Sequence, residues 1–200
     1  MKKIVLASNN KHKIKEFKEI LENVEIITLN DIGYEEEIEE IGDTFLDNAL
    51  IKAKTISEYL KKNNLNYDVI SDDSGLCCFG LDLEPGVYSA RYAGEHVTVK
   101  ENRDKLIANL NGKNNEAYFI CTIVLYHIDD TYEYATGKTY GKIINKEIGD
   151  TSFGYDCIFL SDELNKTFGE ATSDEKNKVS HRYKALKEIK RIIEGGNKNE

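Results

Sequence analysis

Asp72-Asp73-Ser74-Gly75 sets two adjacent carboxylates, a hydroxyl and a glycine directly after the run Tyr67 to Ile70. A strand that ends in this tetrapeptide brings charge and a tight turn to one edge of a sheet, where open α/β sheets bind ligands. Adjacent acids repel, so a cation must neutralise them or one must stay protonated. Taken alone, the four residues fit a solvated Asx turn more simply. Complementary charge lies elsewhere in the chain. Ser8, Asn10 and Lys13 surround the start of a helix whose free N–H groups and dipole favour an anion. The P-loop pattern is absent, and ordinary capping accounts for Ser8 to Asn10 as well.

Lys52 falls on the apolar stripe Phe45, Ala49, Ile56 and Leu60 of a long helix, whereas Lys54 points the opposite way. Its ammonium either snorkels to water or meets an anion, and a triphosphate would supply one. Glu40 closes the acidic run Glu35 to Glu40, a composition typical of a solvated face. It also stands just before the Gly42 turn that starts the lysine-bearing helix. Placed opposite Asp73, it would share a magnesium ion with it, since magnesium takes one or two carboxylates, water and phosphate oxygens. Phe153-Gly154-Tyr155-Asp156 sets aromatic faces beside a glycine that permits close approach, which suits a stacking platform for a base as well as ordinary core. Lys176 and Ser180-His181-Arg182 bring donors to the last helix. Arg182 lies within the apolar face Ala185, Leu186, Ile189 and Ile193, in a first turn where a cation opposes the macrodipole, and this double mismatch favours a functional role. His181 taken alone reads as a structural histidine.

The elements that must position these residues follow from periodicity and punctuation. Lys3 to Ala7 reads as a buried strand, followed by a helix from about Lys11 to Glu22 and a short strand Glu25 to Leu29. Gly42-Asp43-Thr44 opens a helix to Lys62, and a strand then ends in the paired acids. Cys77 to Glu95 is irregular and holds the single proline, Pro85. Glu101 to Leu110 looks helical. Tyr118 to Ile128 and Tyr132 to Lys146 form a hairpin across Asp129-Asp130. Asp156 to Leu160 is a short strand, and Ser180 caps a final helix to about Glu194. Early alternation followed by an antiparallel pair predicts an α/β fold: two lobes on a long mixed β-sheet with flanking helices and a central cleft, which a polyphosphate site of the kind above would make nucleotide-binding. Residues 1–194 read as one two-lobed domain and 195–200 as a frayed tail.

Composition narrows the function. The chain has 200 residues and 40% hydrophobic content, enough for one domain with a core. Its formal charge of −9 argues against a nucleic-acid surface, while leaving room for a local polyphosphate site. No segment approaches a membrane span or a signal h-region, which implies a soluble, cytoplasmic protein with no membrane partner. The cysteines Cys77, Cys78, Cys121 and Cys157 lack zinc spacing and read as reduced, buried thiols. The scattered histidines offer no pair, so any metal should be a hard cation held by oxygen.

Six motifs match one family in order and spacing: Ser8 to Lys13; Asp43-Thr44-Phe45 with Asn48-Ala49 and Lys52-Ala53; Asp72 to Gly75; Pro85 to Tyr92; Phe153 to Asp156; and Glu175-Lys176 with Ser180-His181-Arg182. The chain resembles the inosine triphosphate pyrophosphatases, the non-canonical purine nucleoside triphosphate pyrophosphatases, and among them the bacterial-type members. The resemblance runs over nearly the whole length. It implies a homodimeric, magnesium-dependent enzyme, with manganese as a substitute, that converts ITP, dITP and XTP to the monophosphate and pyrophosphate. It assigns Ser8, Asn10, Lys13 and Lys52 to the phosphates, with a further hydroxyl contact from Ser74, and counts Asn9, Lys11 and His12 among the substrate-binding residues. Asp73 would bind metal and activate water at the α-phosphorus, with Asp72 in support and Glu40 as a further ligand. Phe153, Gly154, Tyr155, Asp156 and Lys176 would receive the base, and His181 and Arg182 its 6-oxo group. Two departures stand out: Ser8-Asn9 replaces the commoner Thr-Gly, and Cys157 occupies a position often held by proline. A pyrimidine nucleotide pyrophosphatase and a non-catalytic nucleotide sensor are the competing readings.

Overall fold

Among the described residues six strands form one mixed sheet in the order β2-β1-β3-β4-β5-β6. They are β1 (Lys2–Leu6), β2 (Val24–Ile27), β3 (Asp68–Cys78), β4 (Glu116–Tyr126), β5 (Tyr132–Ile143) and β6 (Phe159–Ser161). Among the described residues five α-helices accompany them: α1 (Lys11–Ile20), α2 (Phe45–Lys62), α3 (Val99–Leu110), α4 (Ser173–Val179) and α5 (His181–Ile193). The structure, a computed structural model, describes residues 1–195. Beyond Gly195 the expected tail lies outside the described residues. No described helix is long and apolar enough to cross a membrane.

β1 pairs in parallel with β2 and β3, with Ile4 opposite Ile26 and Asp68, and β5 pairs antiparallel with β6. The chain divides into two compact units, and β3 leaves the first at Asp73 and enters the second at Ser74. In the first unit, strand alternation sorts side chains to two faces. Ile4, Leu6 and Ile70 pack with Phe17 of α1 and Ala185, Leu186 and Ile189 of α5. Val5, Ala7 and Val69 pack with Ala49, Ala53, Ile56 and Leu60 of α2. The second unit closes around Leu76, Leu106, Leu110, Phe119, Ile158, Phe159 and Phe168.

The α/β class, the flanking helices and the order of the long elements match the expectation. β3 differs: it continues through the paired acids to Cys78 instead of ending at them. A strand can carry two buried acids where each face supplies a cation, and both faces do so here. The irregular stretch after β3 contains 3₁₀ turns at Phe79–Leu81 and Gly86–Arg91. The expected strand at Asp156 begins as a 3₁₀ turn, Asp156–Ile158, and becomes β6 only at Phe159. α4 was not foreseen from periodicity. It is started by a reciprocal cap in which Thr172 and Glu175 satisfy each other's backbone N–H.

Candidate active site

The paired acids point to opposite faces because they are consecutive residues of one strand. Asp72 shares the face of Ile70, and Asp73 shares the face of Val69 and Ser71. The Ser71 hydroxyl on that face donates to the Ala49 carbonyl of α2 at 2.7 Å. Both carboxylates are deeply buried, at 1% and 5% exposure. On the first face Lys13 of α1 reaches Asp72 Oδ2 at 3.0 Å, and the Cys121 thiol donates to the same oxygen at 3.8 Å. On the second, Lys52 of α2 lies 3.7 Å from Asp73 Oδ1, and Asn48 Nδ2 donates to Asp73 Oδ2 at 3.1 Å.

Lys52 does not snorkel. It is 7% exposed, and its Nζ donates to Glu40 Oε1 at 2.7 Å. Burial works against its charge, but Asp73, Asp72 and Glu40 together outweigh that and hold its pKa above the ordinary lysine value. Burial pushes Asp73 up to about 6, helped by Glu40 and opposed by Lys52, Lys13 and the Asn48 amide. Asp73 is thus poised between charged and neutral near physiological pH. Asn48 also receives the Gly42 N–H on Oδ1 at 2.7 Å, so one amide ties the Glu40 turn to Asp73. A carboxylate on one side and an N–H donor on the other fix which end of the amide faces which. Asn48 was not singled out by side-chain chemistry, although it lies one helical turn before Lys52, on the same face.

The segment before α1 is arranged as a cap. Asn10 Oδ1 accepts the N–H groups of His12 and Lys13 at 3.0 and 3.2 Å, and Ser8 Oγ accepts that of Asn10 at 3.2 Å. Asn9, Lys11 and His12 are exposed. Lys13 is therefore the residue of this stretch brought onto the acids.

The remaining candidates lie in the second unit. Arg182, 2% exposed, donates from Nη2 to Ser74 Oγ at 3.3 Å. The His181 ring stacks on Phe119 with centroids 4.9 Å apart. Lys176 Nζ pairs with Asp156 Oδ2 at 2.5 Å and lies 5.0 Å from the centre of the half-buried Phe153 ring. Gly154 adopts a left-handed φ of 48°. Tyr155 belongs to the core, where its hydroxyl donates to the Ser89 carbonyl at 2.7 Å and burial raises its pKa. Cys157, the departure noted above, is also a buried core residue.

Three carboxylates (Glu40, Asp72, Asp73) and two ammonium groups (Lys13, Lys52) thus form the charged centre of the first unit. The set carries one more acid than base and offers hard oxygen donors, which fits a magnesium-class cation. Among the described residues no group of three or more His, Cys, Asp or Glu is arranged to hold a metal by itself. Such a cation would then complete its shell from water and substrate oxygens.

The Ham1 family model matches residues 4–192. The dITP/XTP pyrophosphatase of Clostridium perfringens is 47% identical over 98% of each chain. That of Bacillus subtilis is 42% identical over 97% of this chain and 98% of its own. The solved structure of the Staphylococcus aureus Ham1 protein superposes with a TM-score of 0.86 at 37% identity, covering 98% of this chain and all of that one. With sequence and fold alike matched over nearly their full lengths, the chain belongs to the Ham1 family.

Proposed function

We propose that this protein is a pyrophosphohydrolase that converts the non-canonical purine nucleoside triphosphates ITP, dITP and XTP to the monophosphate and pyrophosphate. The observation that carries this reading is the buried acid pair of β3, each member facing its own lysine across opposite faces of the sheet. Relatives alike over nearly the whole chain and named dITP/XTP pyrophosphatases support the substrate class. Residues 1–194 act as one catalytic domain, the working form is a homodimer, and the enzyme serves the cytoplasmic nucleotide pool.

Phosphoryl-group chemistry depends chiefly on positioning and on neutralising charge. Lys13, Lys52, Ser8 and the backbone N–H groups after Asn10 hold the phosphates, with the Ser74 hydroxyl as a further contact. Asp73 accepts a proton from the water that attacks the α-phosphorus. The bond from that phosphorus to the α,β-bridging oxygen breaks, and pyrophosphate leaves as a unit. A pKa near 6 suits a base at neutral pH, because it is mostly ionised yet still basic. Asp73 and Glu40 would hold magnesium, which supplies charge neutralisation for the phosphates. Phe153 stacks on the base while Arg182 and His181 present donors to its 6-oxo group. Adenine presents an amino donor there, so donor faces donor and ATP is rejected.

One assay tests the reading: ITP, XTP, dITP and ATP, each with and without magnesium, scored for pyrophosphate against orthophosphate. Pyrophosphate from the 6-oxo purines, dependent on magnesium, is expected. Orthophosphate as primary product, or equal use of ATP, would overturn it.

A further inference from the structure

Arg103 of α3 takes no part in that chemistry, yet it is 2% exposed and its Nε and Nη1 are engaged with one loop. Its Nη1 donates to the Thr151 carbonyl at 3.2 Å and to the Gly154 carbonyl at 2.8 Å. These carbonyls lie on either side of Phe153 in the chain. Its Nε donates to Glu147 Oε1 at 2.7 Å, so the same fork also grips the start of the loop. The base of that loop is fixed by backbone contact: the Asp150 N–H donates to the Gly169 carbonyl at 2.8 Å, and a Cβ on Gly149 would come within 2.2 Å of Gly169. Within the turn Thr151 to Gly154 the Asp150 carboxylate accepts the Ser152 N–H at 2.8 Å and its hydroxyl at 2.9 Å, and the Phe153 carbonyl accepts the Asp156 N–H at 3.3 Å, while Gly154 is left-handed. Those bonds are local to the turn; Arg103 ties both of its ends to α3.

We propose that Arg103 is a positioning residue for base recognition, holding the turn that presents the Phe153 ring to the purine. The proposal rests on the reading that Phe153 stacks on the base. The chemistry requires arginine in particular, because a planar fork serves a carboxylate and two carbonyls at once, whereas an ammonium is a point charge that cannot span them. A cation buried under an exposed-to-half-buried loop is a costly way to hold a purely structural turn. Loss of Arg103 leaves Glu147 and the two carbonyls within reach of water, so the fold survives while the ring loses its fixed pose.

The test uses the full chain with ITP as varied substrate, and inhibition by IMP compared with inhibition by pyrophosphate. IMP carries the base, and pyrophosphate reports the lysine-lined phosphate site alone. In Arg103→Gln the inhibition constant for IMP should rise about tenfold, the scale of one base–aromatic stack, while that for pyrophosphate moves less than about twofold. Arg103→Lys, which retains the charge but not the fork, should behave like the glutamine variant. In a Phe153→Ala background the Arg103 substitutions should add nothing to the IMP effect, since the residue acts through the ring. Unchanged IMP inhibition, equal weakening of both inhibitors, or full additivity with Phe153→Ala would each overturn the proposal. Failure of the parent enzyme to release pyrophosphate from ITP would instead sink the functional reading beneath it.

Discussion

Asp73 concentrates the conflict between folding and chemistry in a single side chain. Its pKa is raised from 3.8 to about 6, so the folded state binds this proton more tightly than the unfolded chain does. The stability it contributes is therefore fully present below about pH 4 and is lost as pH rises through 6, a loss of roughly 3 kcal/mol. Asp73→Asn removes that titration. Its melting temperature relative to the parent should climb between pH 5 and pH 8 in thermal scans without nucleotide, while turnover falls roughly 10²–10⁴-fold, the worth of a general base. A melting difference that stays flat with pH would remove burial as the cause of the shift. Arg182 makes a separate case. A hydrogen bond from a charged donor is worth about 1.5–3 kcal/mol, so Arg182→Ala should cut the ITP-to-ATP ratio of kcat/KM by roughly 10- to 100-fold. Magnesium dependence should be unaffected.

Two glycines show how elements hold these residues, for different physical reasons. Gly42 precedes α2, and a Cβ there would meet Asp47 Cβ at 2.6 Å and Asn48 Oδ1 at 2.8 Å. Crowding at that point pushes on the amide that orients Asp73 and on the turn that carries Glu40. Gly42→Ala should lower kcat/KM steeply, since an ångström of misplacement costs on the order of 10²-fold. Gly112, just beyond α3, has a φ of 73° and open space around its α-carbon. Gly112→Ala should cost about 1 kcal/mol of stability through backbone strain alone and leave the kinetics as they are. Denaturant midpoints set beside kinetics on the two variants separate crowding at the site from strain away from it. The Gly42 turn was legible as punctuation in the sequence, but that it bears on the acids was not. That depends on α2 being laid against the Asp73 face of β3.

At the scale of the whole molecule, charge and pH act through a few buried groups. His127 sits between Asp68 Oδ2 at 3.2 Å and Glu133 Oε2 at 2.5 Å, with Lys2 also on Asp68. Burial pulls its pKa down, but the bonds to Glu133 and Asp68 outweigh this and hold it above 6.5. A raised histidine contributes stability that is complete below its unfolded value and is lost as pH rises through the folded one. Together with Asp73 and a net charge of −9, it should make the melting temperature of the nucleotide-free protein fall from pH 6 to pH 9. His127→Gln should flatten the upper part of that fall, and an unchanged slope would show that the histidine does not contribute to it. The sequence by itself determined the α/β class and the order of the long elements, and it marked residue types suited to phosphate, metal and base, because periodicity, capping and charge are local. It did not determine that β3 runs on through Asp72 and Asp73, since adjacent acids discourage a strand until cations distant in the chain are packed against it. Only the tertiary structure decided that Asp72 faces Lys13 while Asp73 faces Lys52, Asn48 and, through Lys52, Glu40. It alone placed Arg103 on the carbonyls flanking Phe153. Burial and register set those pairings, and both arise from contacts between segments far apart in the chain.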